Sequence, residues 1–435
     1  MPHRFPSLIA APPPARGRLW LTGARLFDGT GAPVRDGAAV LVSDGVIEHV
    51  GETGESVPEG ARTLDLGGRT LMPGLINAHV HVQGFVPSPE HGAEPVLAGT
   101  SAHFLQARLR DCLRMGVLTI RNVGSQERQP QEARQAMRYG AFRGPRLLTC
   151  GLIISATAPG GRFYGAMYRE ADGPDEIRKA VREQLRAGAD FIKVMTCGAR
   201  SNELEDPDPL QLTDAELAAL GEEAHRMGVR VAAHVEGLDG TAAAIEHGVD
   251  TIEHGMYLCQ RPELLERMAA SGQFLVPTLS GYYWMGGFGD AIDPAGAELD
   301  PDMLPGLVEL AHYNLEQGSA SLRAARDAGV PIALGSDRDG VSGEDAALEL
   351  VRMVHHGLGA AEALHAATGA AARALGLEEY IGVVEPGRLA DLVVVDGDPV
   401  AEPAVLLERE RIWLVLQLGE VVAGAAMESS AVDGP

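Results

Sequence analysis

Residues 75–82 read LINAHVHV, and the chain changes texture at this run. Before it, from Leu19 to Leu71, short apolar stretches (LWLTGARLF, AAVLVSDGVIEHVG, ARTLDLGGRTLMPG) alternate with Gly and Asp turns, the pattern of short antiparallel strands. From Leu75 onward short strand-like runs alternate with longer helical ones, the βα repeat of a parallel sheet. After LINAHVHV the strand candidates are 117–124, 146–155, 190–196, 230–236, 250–255, 273–280 and 330–337, eight in all. Segments such as PDEIRKAVREQLRAGAD and TDAELAALGEEAHRMG lie between them, several opened by an N-cap residue such as Thr213 and closed by Gly, as helices are. Eight such units over roughly 300 residues favour an α/β fold of the (β/α)8 TIM-barrel type over a doubly wound sheet. After about Leu377 the runs EYIGVVEPGRLADLVVVDGDP and RIWLVLQLGEVV revert to short strands and turns. The expected organisation is a flexible leader (1–17), a small β-sandwich domain built from both chain ends (18–72 and 377–424), a barrel between them (73–376) and a tail (425–435).

With 435 residues, 45% of them hydrophobic and 22% charged, the chain can bury a large core. Its 36 basic and 60 acidic residues give a net charge of −24, which argues against a grip on nucleic-acid phosphates or anionic membranes. Cys112, Cys150, Cys197 and Cys259 lie far apart with no C-x-x-C pair, so neither a disulfide scaffold nor a cysteine zinc site is indicated, and a reducing, cytoplasmic compartment fits. Pro2, Pro6 and Pro12 to Pro14 interrupt what would be a signal peptide's apolar segment. No stretch approaches the length of uninterrupted apolar sequence that a membrane span needs. The expected partners are a small-molecule substrate and further copies of the chain in a homo-oligomer.

Chemistry in a βα barrel sits at the C-terminal ends of the strands. His79 and His81 alternate at the end of the first strand, so both side chains share a face. Lys193 lies in DFIKVMTC, the fourth strand; His234 ends the fifth, His254 the sixth and Asp337 the eighth. Four imidazoles, a carboxylate and a lysine therefore converge on one mouth. Imidazole and carboxylate suit divalent Zn, with Mn, Fe or Ni as alternatives. The set exceeds what one tetrahedral ion with an open position needs, so two ions are the more economical reading, and they would need a bridging ligand.

The segments LMPGLINAHVHV, FIKVM, AAHVEG, TIEHG and LGSDRDG, followed by VVEPGRLADLVVVDGDP, resemble the amidohydrolase superfamily, specifically its imidazolonepropionase-like and Xaa-Pro-dipeptidase-like branch. The resemblance covers nearly the whole chain and implies that Lys193 is carboxylated, its CO2-derived carbamate bridging two divalent ions. It further implies that His79, His81 and Asp337 hold one ion and that His234 and His254 hold the other. The chemistry of DFIKVMTC agrees: an ammonium among Phe191, Ile192, Val194 and Met195 has its pKa depressed, which supplies the neutral amine that adds CO2. Two metals with a bridging hydroxide would make a hydrolase, with Asp337 as the proton shuttle between the attacking water and the leaving nitrogen. The expected activity is cleavage of amide C–N bonds in dipeptides, N-acyl amino acids or related amides. The alternatives are a cyclic-amide or imidazolone hydrolase, a heterocycle deaminase, and a non-catalytic scaffold. Deaminases of the superfamily carry a His-x-x-Glu where this chain reads His234-Val235-Glu236-Gly237.

Specificity is expected in the loops after the strands. Arg162, Tyr164 and Tyr168 follow the third strand, Arg200 and Asn202 the fourth, and Tyr283 the seventh. An arginine there would clamp a substrate carboxylate, and a tyrosine would donate to a carbonyl oxygen gaining charge. Relatives often carry a histidine in place of Arg162, and a Gly-Gly turn where this chain reads Cys197-Gly198-Ala199. His225, His247, His355, His356 and His365 fall in helical segments, where surface or core roles are expected, and Cys197 is expected as a small apolar filler.

Overall fold

The structure, a computed structural model, describes residues 17–82, 98–126, 128–199, 205–297, 305–338 and 340–428. Strands from both chain ends share one eight-stranded sheet. Its order runs Glu420–Ala423, Ile412–Gln417, Leu392–Val395, Thr70–Pro73, Arg18–Leu26, Arg35–Ser43 and Val46–Glu52, with Ala61–Asp65 alongside Arg18–Leu26. The stitch between the ends is the antiparallel pair Thr70–Pro73 with Leu392–Val395, in which the fully buried Leu71 and Val394 lie opposite each other. The sheet is continuous through its hydrogen bonds, Val46 bridges Leu389, and residues from both of its halves share one apolar cluster.

The middle of the chain builds parallel sheets, as the βα pattern dictates. Six strands pair in the order Tyr168–Glu170, Ile153–Ser155, Ile192–Met195, Val231–Val235, Thr251–His254 and Phe274–Val276. Three more, Leu75–Val80, Val117–Asn122 and Arg146–Thr149, form a second parallel sheet. Helices separate most of the successive strands. Asp214–Arg226 starts at a capping box in which Thr213 and Glu216 satisfy each other's backbone donors, and Pro262–Ser271 stops at the left-handed Gly272. Apolar residues of both sheets and of the segment 330–337 share a single buried cluster that includes Ile76, Leu148, Ala232, Val276 and Ala333.

Two of the eight expected strands differ. The run 146–155 is two strands in different sheets, broken at the left-handed Gly151. The run 330–337 forms no strand, only a bridge from Ile332 to Leu275. Pro331 has no N–H to donate and Asp337 leaves the extended region at φ 50°. The segment still lies beside the first strand, since the Ala78 N–H donates to Leu334 O (2.8 Å) and the Ser336 N–H to His79 O (3.2 Å). The parallel ladder is therefore not a closed ring among the described residues. Between Arg146–Thr149 and Ile192–Met195 it is replaced by a bond from the Asp190 N–H to Thr149 O (2.8 Å). No helix among the described residues is long and apolar enough to cross a membrane, and the four cysteines are free thiols.

Candidate active site

His79, Lys193, His234, His254 and Asp337 come together at the C-terminal ends of the parallel strands, with His81 one turn of the pleat beyond His79. The ladder register sets this: Met195 lies opposite His234, and Val235 opposite His254. The rings of His79 and His254 are 5.2 Å apart, those of His234 and His254 4.6 Å, and those of His79 and His81 5.6 Å. The ligand atoms of His79, His254 and Asp337 all lie within 4.8 Å of one another. Gly335 allows the approach, because a Cβ there would stand 2.6 Å from His79 Cβ and 2.5 Å from Val276 Cγ1.

Three of the four imidazoles are held from behind. His79 Nδ1 meets Glu253 Oε2 at 2.6 Å, His81 Nδ1 meets Gly124 O at 2.7 Å, and His254 Nδ1 meets Thr278 Oγ1 at 2.7 Å. A carbonyl and an ionised carboxylate only accept, so His79 and His81 carry their protons on Nδ1 and leave Nε2 as a lone pair. Both Nε2 atoms lie 3.2 Å from the same oxygen, Asp337 Oδ1. Lone pairs facing a carboxylate oxygen repel unless a cation or proton sits among them, and this donor set is that of a divalent ion.

Lys193 supplies the complementary anomaly. Its side chain is buried and its Nζ has no hydrogen-bond partner among the described residues. Burial pushes its pKa down, opposed in part by the carboxylates of Glu253 and Asp337. Burial would raise the Asp337 carboxyl, but a proton held between it and His79 and His81 in the absence of an ion outweighs burial and keeps the group well below the usual range. His254 is held well below the usual imidazole value by burial and by the neighbouring His234. For His234 burial works against the charged ring, yet Cys197 and Glu236 raise it to about 10. His254, Thr278 and Asp337 are three of the five non-glycine residues with left-handed backbone among the described residues. Strain gathered at one place in this way marks sites that packing over-determines.

A cavity of about 460 Å³ opens above these groups. Tyr164 and Tyr168 line it, whereas Arg162 is exposed and lies off its wall. Tyr283 is a correction: it is buried behind the wall, its hydroxyl donating to Ile292 O (2.6 Å) with His356 Nε2 at 2.8 Å and Arg352 stacked on its ring. The run GYYWM belongs to the helix Leu279–Met285, which turns Tyr282, Trp284 and Met285 into the cavity and Tyr283 away. Arg200 and Asn202 lie outside the described residues. The discounted histidines stand elsewhere, His225 on Asp250, His247 on Asp214 and His365 on Gly29 O, with His355 beside His356. Cys197 is fully buried and accepts the Glu236 N–H through Sγ.

Two residues behind the site were not singled out in the sequence. Arg121 donates to Glu253 Oε1 (2.8 Å) and to Thr251 Oγ1 (3.0 Å), and Glu253 in turn orients His79. Burial would raise the Glu253 carboxyl, but Arg121 first and His79 next hold it far down, so it stays an acceptor. The signal was present, since each is a charged residue in a strand that is otherwise buried, the same oddity that draws attention to Lys193.

A family model for the amidohydrolase family matches residues 70–422. The chain belongs to that family and is a hydrolase by it. It is 29% identical to an ochratoxinase from Aspergillus niger over 97% of this chain and 90% of the relative. It is 26% identical to an imidazolonepropionase from a Polaromonas species, over 95% and 96% of the two chains. Among solved structures, a Xaa-Pro dipeptidase with methionine bound in its active site superposes with a TM-score of 0.81 at 27% identity, covering 93% of this chain and 99% of that one.

Proposed function

We propose that this chain is a binuclear metal-dependent amidohydrolase that cleaves amide C–N bonds in small substrates such as N-acyl amino acids or dipeptides. The observation that carries the reading is the meeting of the unpartnered Lys193 Nζ with imidazole lone pairs aimed at Asp337. His79, His81 and Asp337 would hold one divalent ion, zinc before manganese, iron or nickel, and His234 and His254 the other, with Lys193 bridging them as its carbamate. Bound there, divalent ions supply Lewis-acid polarisation of a carbonyl and a source of hydroxide near neutral pH.

The residues do the remainder. Asp337, at the cavity floor, takes the proton of the attacking water and passes it to the leaving nitrogen. Glu253 holds His79 in the tautomer that keeps Nε2 for a ligand, and Thr278 orients the His254 ring. In this reading the two parallel sheets are arcs of one (β/α)8 barrel spanning 73–376, and residues 18–72 and 377–424 make a second domain beside it. The names of the Xaa-Pro dipeptidase and the ochratoxinase support amide substrates. A cytoplasmic homo-oligomer is proposed alongside, with the four free thiols fitting a reducing compartment.

The test is a panel of dipeptides and N-acyl amino acids offered to Zn-loaded and Mn-loaded protein, with metal content measured on the same samples. Hydrolysis with two ions per chain is expected. Full metal occupancy with no amide cleaved would end the proposal.

A further inference from the structure

Beside its charged groups the cavity is lined by aromatic and apolar side chains, among them Phe163, Tyr164, Tyr168, Tyr282, Trp284 and Met285. On one side the short helix Gly161–Tyr164 and the strand after it present a run of rings. Phe163 meets Tyr164 edge-on at 4.7 Å, and Tyr164 meets Tyr168 at 5.4 Å with their planes 32° apart. Ile153 and Met195 pack behind the two tyrosines. Trp284, carried by the helix Leu279–Met285, lines the same cavity. Phe163 is 65% exposed and Trp284 49% exposed, yet both face this one cavity. Large apolar groups left open to water around a concave site are a recognition surface for apolar matter.

The chemistry of the wall narrows what it takes. Among the described lining residues the cationic or titratable nitrogens are those of Lys193 and the four histidines, gathered in the cluster around Asp337. Rings at 4.7 to 5.4 Å spacing favour a flat partner that stacks or meets them by its edge. At about 460 Å³ the cavity has room for a bicyclic ring together with an amide.

On the amide-hydrolase reading, we infer that the preferred substrates carry a flat, uncharged aryl group next to the scissile amide, seated against the aromatic lining that includes Phe163 and Trp284. Water hydrolyses the amide to a carboxylic acid and an amine, and the aryl group remains on whichever product bore it. Burying a ring against such a wall is worth more than tenfold in kcat/KM.

The test uses metal-loaded protein and three amides: N-(2-naphthoyl)glycine, N-acetyl-2-naphthylalanine and N-acetylglycine. At least one aryl amide is expected to exceed N-acetylglycine by more than tenfold in kcat/KM, and the better of the two assigns the ring to the acyl or the amine side. In Phe163→Ala/Trp284→Ala protein that ratio is expected to fall at least tenfold. Calorimetric binding of 2-naphthoate and 2-naphthylalanine to the same proteins is the second readout, with at least one bound and its affinity weakened tenfold or more by the double substitution. Hydrolysis of all three amides at similar kcat/KM, or an aryl preference that survives the double substitution, overturns the aryl site and leaves the amidohydrolase reading intact. If no amide is cleaved, that reading fails, and the aryl site then stands or falls on the binding difference alone.

Discussion

Replacing Lys193 by Met should push stability and function in opposite directions. The lysine Nζ is buried without a hydrogen-bond partner, and burial lowers its pKa below the ordinary 10.5. Without metals the wild-type protein must either bury an unsatisfied cation or give up its proton. An unpaired buried polar group costs about 1–3 kcal/mol, and methionine fills a similar volume with no polar atom. Metal-free Lys193→Met should therefore be more stable than metal-free wild type by roughly 2 kcal/mol near neutral pH. The pH dependence has a definite sign. A base whose folded pKa is depressed contributes stability above its unfolded pKa and loses it as pH falls through the folded one. The advantage of the variant should accordingly shrink as pH rises toward 10.5. With divalent metal and bicarbonate the order reverses, because a ligand at a hundred times its Kd stabilises by about 2.7 kcal/mol and only wild type has the bridging group. Urea unfolding of both proteins, chelated and reloaded, reads all of this. A metal-free variant that is weaker than wild type, or that gains as much from metal, would refute the reasoning.

Two further outcomes follow from neighbouring groups. Glu253→Gln removes the charge that orients His79 and balances Arg121. Metal affinity measured against a competing chelator should fall about 10- to 100-fold, and unchanged affinity would deny Glu253 that role. Glu349 is fully buried, accepts the Leu279 and Ser280 N–H groups at 2.9 and 2.7 Å, and is pushed by burial from 4.5 up to about 7. A raised folded pKa gives stability that is complete below pH 4.5 and is lost as pH rises through about 7. Relative to wild type, Glu349→Gln should gain roughly 3 kcal/mol between those limits, whereas parallel stability curves would contradict it.

The parts of the molecule that were legible in the sequence are those where one residue type breaks a pattern. A histidine, lysine or aspartate at the end of an apolar run has few uses, and the alternation in LINAHVHV or the lysine in DFIKVMTC places it without any structure. The strand count carried the parallel architecture for the same reason, since βα spacing is a local property. Closure was not legible, because the last run is apolar enough for a strand while Pro331 and the left-handed Asp337 deny it a ladder. Nor was the orientation of the loop residues. Read as a loop, GYYWM offers every side chain, but as a helix it advances about 100° per residue and sends Tyr283 behind the wall that Tyr282 and Trp284 form. Arg121 and Glu253 lie far apart in sequence, and only the parallel sheets bring them together.

The central claim is a carbamate on Lys193 joining two ions, and it can be seen directly. Metal-free protein is reloaded with a diamagnetic divalent ion such as Zn in the presence of 13C-bicarbonate, and its carbon spectrum is recorded with metal content on the same sample. One labelled carbamate per chain with two bound ions is the predicted result, and Lys193→Met should show neither the signal nor the second ion. Two tightly held ions and full amide hydrolysis with no labelled carbamate would contradict the account.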